Sequence, residues 1–194
     1  MKKTFYAFGL LLLVAACPAD SNLPKGWFKA GDSPTKYDMY LDKNTAQNGK
    51  SCATIKSTFD KIDGFGTLMQ DCKPDNYLGK RVRMSGYIKS KDIDDWAGFW
   101  LRVDQKNSVE PLSFDNMESR AIKGTTDWKK YDIVLDVPSN ASNIAFGALV
   151  AGTGQIWFDN LSFEVVSDTV KTTGGAVMDT RKINDAPTNL NFEE

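Results

Sequence analysis

The stretch from Asp94 to Asp104, DDWAGFWLRVD, alternates with a period of two. In an extended strand successive side chains point to opposite faces, so Ala97, Phe99, Leu101 and Val103 form one surface and Trp96, Gly98, Trp100, Arg102 and Asp104 the other. The first surface reads as core. The second carries two indoles and a guanidinium, more apolar area than a solvated face usually displays and more charge than a buried one tolerates.

The same period extends outward. From Lys25 to about Val166 the chain is a series of short alternating runs separated by Gly, Asn, Asp and Pro, with no sustained helical period. KYDMYLD, SCATIKST, GTLMQDC, KRVRMSGYIKS, GFWLRVD, LSFDNM, KKYDIVLDV, NIAFGALVA and QIWFDNLSFEVV are the candidate strands. Clean alternation implies one buried face per strand, so the expected fold is all-β, an antiparallel two-sheet β-sandwich over residues 25–166. In KKYDIVLDVP, Tyr131, Ile133, Leu135 and Val137 share a face, and Pro138 ends the strand because it has no N–H for the ladder. Ile144, Phe146, Ala148 and Val150 share the next face, Gly152 to Gly154 turn the chain, and Ile156 and Phe158 follow. That pattern predicts a hairpin with a filled interior.

KRVRMSGYIKS, from Lys80 to Ser90, sorts like the opening stretch, with Val82, Met84 and Ile88 on one side and Arg81, Arg83, Ser85, Tyr87 and Lys89 on the other. Sequential strands often pair. Paired with the strand of Trp100, it puts Arg83, Tyr87, Trp100 and Arg102 on one exposed surface, with Asp115 and Asn116 at the edge. An aromatic ring stacks on the C–H face of a sugar, and Arg, Asp and Asn offer planar partners to hydroxyls. The alternative is that the N-terminal loop GWFKAGDSPTKYDMY covers the aromatics. Trp96 is assigned to that packing role, and Arg102 then pairs with Asp104 or Asp115.

At the N-terminus, MKKTFYAFGLLLLVAAC has two lysines, an apolar run and small residues, the layout of a secretory leader. The run is too short to span a bilayer as a mature helix. LVAAC resembles the lipobox of bacterial lipoproteins, which implies cleavage of residues 1–16, acylation of Cys17, and residues 17–24 as a short tether to a membrane of the cell envelope. An ordinary leader followed by an incidental cysteine is the alternative. Without residues 1–16 the chain has 178 residues, enough for one domain, and 22 basic against 25 acidic groups, a net charge of −3. No basic block is present, which argues against nucleic acid as a partner.

With Cys17 assigned to lipid, Cys52 and Cys72 remain as a pair in a disulfide-permitting compartment. A hairpin centred near Ile62 sets them opposite each other, and a bridge there would add about 3 kcal/mol by the chain-entropy estimate. Two free thiols on neighbouring strands are the alternative. The chain has no histidine, which removes Ser-His-Asp and Cys-His nucleophiles and the commonest transition-metal ligand. Nothing in the sequence sets two carboxylates at a catalytic separation, so the expectation is a protein that is not an enzyme.

GW at Gly26 and Trp27, NGKSCATIKS from Asn48, GKRVRMSGYIKS from Gly79 and the long phrase from Asp127 to Glu164 together resemble the jelly-roll carbohydrate-binding modules of the galactose-binding-like group. The resemblance covers most of residues 25–166 and implies a jelly-roll-like form of that antiparallel two-sheet β-sandwich and a glycan ligand, with no cofactor required. Domains of this kind also occur attached to bacterial transcription regulators. In related modules the aspartate of the last-strand F-D-D phrase helps hold a structural calcium through oxygen ligands. Asp159 matches that aspartate, Asn160 replaces its neighbour, and the N-x-x-F-E phrase that supplies the second acid is missing from the N-terminus. A phrase of that kind, NLNFEE, closes the chain and offers Glu193. Residues 167–194, poor in aromatics, read as an extended or disordered tail.

The sequence therefore points to a non-catalytic, lipid-anchored envelope module that binds a glycan. A structural or protein-interaction lipoprotein of the envelope, without sugar binding, is the alternative.

Overall fold

The computed structural model describes residues 22–175. The leader, Cys17 and Glu193 lie outside these described residues. Nine strands form in the order β1 (Phe28–Ala30), β2 (Tyr37–Asp42), β3 (Cys52–Ser57), β4 (Phe65–Cys72), β5 (Lys80–Gln105), β6 (Ser113–Asp115), β7 (Ile122–Val137), β8 (Ala141–Ala151) and β9 (Gln155–Val166). The helical pieces among the described residues are two single 3-10 turns, Pro34–Lys36 and Glu118–Arg120.

β5 organises the molecule. KRVRMSGYIKS and GFWLRVD are not two paired strands, as the sequence suggested, but the two ends of this one 26-residue strand. Its first half, Arg81 to Lys91, pairs with β9, and its second half, Trp96 to Gln105, pairs with β8. The change of layer occurs around Asp92, whose φ of 52° is left-handed, and the β5–β7 ladder shifts register three times between Ile88 and Ala97. One layer therefore runs β2-β3-β9-β5-β7 and the other β1-β4-β8-β5-β6, all pairings antiparallel. This is the expected sandwich.

The inward residues are those that alternation selects. Ala97, Phe99, Leu101 and Val103 are 0–1% exposed, and Val82, Met84, Ile88, Ile133, Leu135, Val150 and Ile156 meet them in one core. Burial of this apolar area is the main stabilising term. Trp27 closes one end of the core, its ring 5.7 Å from both Phe146 and Phe158.

Two expected hairpins are arches instead. β8 and β9 do not pair with each other, because Gly152 to Gly154 carry the chain from one layer to the other. β3 pairs with β2 and β9, whereas β4 pairs with β1 and β8, so the segment around Ile62 also crosses between layers. The predicted Cys52–Cys72 disulfide fails for this reason. Cys52 sits opposite Asp42 in one sheet, Cys72 opposite Ile144 in the other, and both thiols are free. Of the expected tail, the described part, residues 167–175, is hydrogen-bonded to the sandwich.

Candidate functional site

A cleft of about 520 Å³ opens on the outer face of the β1-β4-β8-β5-β6 layer. Such a volume lies within the range of small-ligand sites. Its floor follows from register. Trp96, Ala151 and Phe65 lie on one rung across β5, β8 and β4, and Gly98, Leu149 and Thr67 lie on the next. The run Ile144–Ala151 is apolar on both alternations, which is the sequence trace of a strand covered on both sides.

Trp100 reaches diagonally over β8 and donates its Nε1–H to Thr67 Oγ1 at 2.8 Å. Thr67 in turn donates to the Ala148 carbonyl at 2.7 Å. A side chain that spans two strand spacings, roughly 10 Å, must lie along the sheet rather than stand up from it. Trp100 therefore presents a half-buried ring with its polar edge already satisfied. Trp96 also lines the cleft and is partly exposed. The N-terminal loop does not cover these rings. It packs Trp27 against one end of the core and contributes Ala30 and Gly31 as one wall. Gly31 has a φ of +110°, and a Cβ there would meet the Phe65 carbonyl oxygen at 2.6 Å, so the wall needs glycine to come this close.

The opposite wall is β6 with the turn after it. Phe114 and Asn116 line the cleft, while Met117 folds over Gly98 so tightly that a Cβ on Gly98 would lie 3.0 Å from it. Arg102 projects beside this wall. Its Nε donates to Asp104 at 2.6 Å and its Nη2 to the Val109 carbonyl at 2.7 Å. Asp104 rather than Asp115 is thus its partner.

Of the residues expected to share one surface, the structure brings together Trp100, Arg102 and Asn116. Asp115 stands next to them in sequence but its carboxylate faces the other way. It is 7% exposed and accepts from Arg120 Nη1 and Nη2 (3.0 and 2.7 Å), from the Met117 N–H (2.8 Å) and from the Thr173 hydroxyl. Burial alone would raise its pKa, but the hydrogen bonds from Arg120, Thr173 and Met117 outweigh that and hold it below the usual carboxylate value. Asp115 is a structural anchor.

Arg83 and Tyr87 belong to the other sheet, on the half of β5 that pairs with β9. Arg83 donates to Glu164 at 2.8 Å and lies 3.5 Å from Asp132. Asp159 uses its carboxylate to hold the loop between β2 and β3, accepting from the Gln47 N–H at 3.1 Å and from the Asn160 N–H at 2.7 Å. No group of three His, Cys, Asp or Glu side chains gathers as a metal cage among the described residues.

Sequence reasoning missed Asp95, Thr67, Phe114 and Leu149 as parts of the cleft. Tyr37 also escaped notice. Its hydroxyl donates to the Gly152 carbonyl at 2.7 Å and fixes the turn that borders the Asp95 end. Burial, with Asp94 and Asp95 nearby, pushes its pKa up to about 12.

The architecture is an antiparallel two-sheet β-sandwich, a fold shared with carbohydrate-binding modules. The CBM22-1 xylan-binding domain from Paenibacillus barcinonensis matches with a TM-score of 0.54 at 14% identity, over 75% of this chain and 88% of that one. The enzymatically active domain of tailspike protein 4 from bacteriophage CBA120 matches with a TM-score of 0.55 at 12% identity, over 73% of this chain and 20% of that one. At these identities the likeness establishes the fold. The uncharacterized HTH-type transcriptional regulator YbfP of Bacillus subtilis (strain 168) is 43% identical over 171 residues, 88% of this chain and 57% of the relative. The chain thus spans little more than half the length of that protein. No family model matches the chain.

Proposed function

We propose that this domain is a non-catalytic glycan-binding module, carried in the bacterial cell envelope by a lipid on Cys17. The observation that supports the glycan reading is the cleft itself. It holds a flat, hydrogen-bond-satisfied indole, a second indole and an apolar floor, with Asp95, Arg102 and Asn116 as polar groups. A sugar ring needs that combination of an apolar platform and a few oriented polar partners. The charge of Arg102 is already offset by Asp104, so its remaining N–H donors suit neutral hydroxyls. The fold shared with a xylan-binding domain is consistent with this reading, although fold alone does not carry function.

The non-catalytic reading rests on Asp95, the one acid that lines the cleft among the described residues. Glycoside hydrolysis uses two carboxyl groups roughly 5 to 9.5 Å apart across the scissile bond. The anchor rests on the N-terminal sequence through Cys17.

The Bacillus subtilis relative favours a second reading, in which the same sandwich is the ligand-sensing part of a longer regulator. The described residues contain no α-helix to form a helix-turn-helix. Under either reading the domain is the part that meets the ligand.

Titration with short xylo-, cello-, manno- and galacto-oligosaccharides, followed by tryptophan fluorescence and calorimetry, tests the proposal. A saturable response to at least one series is expected. A folded protein that answers none of them removes the glycan reading. Mass spectrometry of the membrane fraction tests the anchor: the expected species begins at an acylated Cys17, and an unmodified Cys17 in the processed chain refutes it.

A further inference from the structure

We infer that residues 167–175 are a strap that seats one wall of the cleft, so that ligand affinity depends on a segment that lines no part of it; the inference rests on the glycan reading above. β7 is the outermost strand of one layer and β6 of the other. Their edges would otherwise present unpaired N–H and C=O groups.

The strap lies between those edges and bonds to both. The Thr173 N–H donates to the Val134 carbonyl, and the Val134 N–H donates to Thr173 Oγ1, each at 2.9 Å. The Phe114 N–H donates to the Gly175 carbonyl at 3.2 Å. Val134 points outward from β7 and is nonetheless 2% exposed. Upstream, Arg81 Nη1 donates to the carbonyls of Asp168 and Val170 at 2.5 and 2.6 Å, while Nε and Nη2 hold both oxygens of Asp136. The strap is therefore clamped at two points along its length.

Its grip on the cleft passes through Asp115. Phe114 and Asn116 line the cleft, and the residue between them turns its carboxylate to the Thr173 hydroxyl and to Arg120. The approach is as close as backbone permits, because a Cβ on Gly174 would collide with the Phe114 carbonyl oxygen. Gly175 has open space at the same point. Thr173 and Gly174 are thus positioning residues that act through the β6 wall. By linkage, a ligand that needs the seated wall also stabilises the strap, and a pull on the chain beyond Gly175 weakens the ligand. That coupling gives the sandwich a way to report occupancy to whatever follows it.

The two glycines provide the experiment. Gly174→Ala should unseat the strap, raise the Kd for the best oligosaccharide of the panel about tenfold and speed amide exchange at Phe114 by a similar factor. Gly175→Ala should leave both within about twofold. Thr173→Val should behave like Gly174→Ala, with Thr173→Ser restoring the wild-type values. Faster exchange at Phe114 with unchanged affinity overturns the inference, as does unchanged exchange in Gly174→Ala. If the wild-type protein binds no sugar in the panel, the glycan reading falls, and exchange at Phe114 and Met117 alone decides whether the strap seats the wall.

Discussion

The first half of β5, Lys80 to Lys91, and its second half, Trp96 to Gln105, both turn aromatic and guanidinium groups away from the core, yet Trp96 and Trp100 of the second line an apolar cleft, whereas the hollow at the start of the first is lined by Lys80, Arg81, Asp136 and Asp168. On the first half the charged groups are answered within the sheet. Arg81 pairs with Asp136, Arg83 with Glu164 and Asp132, and Lys89 with Asp127 at 3.3 Å, all from the flanking strands or their ends. Surface pairs of this kind each contribute little. On the second half, segments outside the central ladder rise on both sides. The β1 turn approaches through Gly31, and Met117 folds over Gly98. Residue types on a strand face do not make a site; walls around that face do.

The largest effect expected from this comparison is on binding. Trp100→Ala removes the platform and leaves Thr67 without its indole donor, so glycan affinity should fall about 30-fold, some 2 kcal/mol. Tyr87→Ala, an aromatic deletion on the other half of β5 and outside the Trp100 cleft, should leave affinity within about twofold. Calorimetry of both variants against the same oligosaccharide checks the contrast. Equal losses would place the ligand on the wrong face, and no loss in Trp100→Ala would take it out of the cleft.

Alternation disclosed much of this in advance. It assigned Phe99, Leu101 and Val103 to the core and Trp100 and Arg102 to the outer face, because the period of a strand fixes which face each side chain takes. It does not fix which strand lies alongside. The segment Lys91–Asp95 reads as a charged loop, yet Ile93 is 3% exposed and keeps the core side continuous through the bend. Two candidate strands were therefore one, and Arg83 and Tyr87 fell on the other sheet. Asp115 was grouped with Asn116 by polarity, whereas alternation separates them and the Arg120 contact shows where Asp115 points. The partners of Cys52 and Cys72 depended on whether the segment around Ile62 was a hairpin or an arch, and local turn chemistry is alike for both.

A smaller effect separates the two regions by pH. Asp115 has a pKa below its ordinary value because the hydrogen bonds from Arg120, Thr173 and Met117 outweigh burial. Asp136, bound by Arg81 at the other strap contact, is also lowered. A carboxyl whose folded pKa is depressed stabilises the fold fully above its unfolded pKa of about 4 and loses that contribution as pH falls through the folded value. The melting temperature should therefore hold steady above about pH 5 and decline below about pH 4. Asp115→Asn should lower the melting point at pH 7 by a few degrees, corresponding to about 1 kcal/mol for unsatisfied buried partners, and should flatten the acid decline. An acid limb of unchanged steepness in this variant would assign the titration to other carboxyls.

The smallest effect is a null shift. Had Cys52 and Cys72 been bridged, reduction would have cost about 3 kcal/mol and several degrees of melting temperature. They stand in different sheets, so reductant should leave the melting point unchanged. Their reactivities should differ as their surroundings do. Cys72 is exposed at the end of β4 and should take a maleimide in the folded protein. Cys52 is 2% exposed, and burial, with Asp42 and Asp159 nearby, pushes its thiol up to about 12, so it carries almost no thiolate at neutral pH. Labelling of Cys52 should therefore require unfolding, and its rate should track the opening of β3 from β2 and β9. Fast labelling of Cys52 in the native state would mean that the β2–β3 edge opens far more readily than the rest of the sandwich.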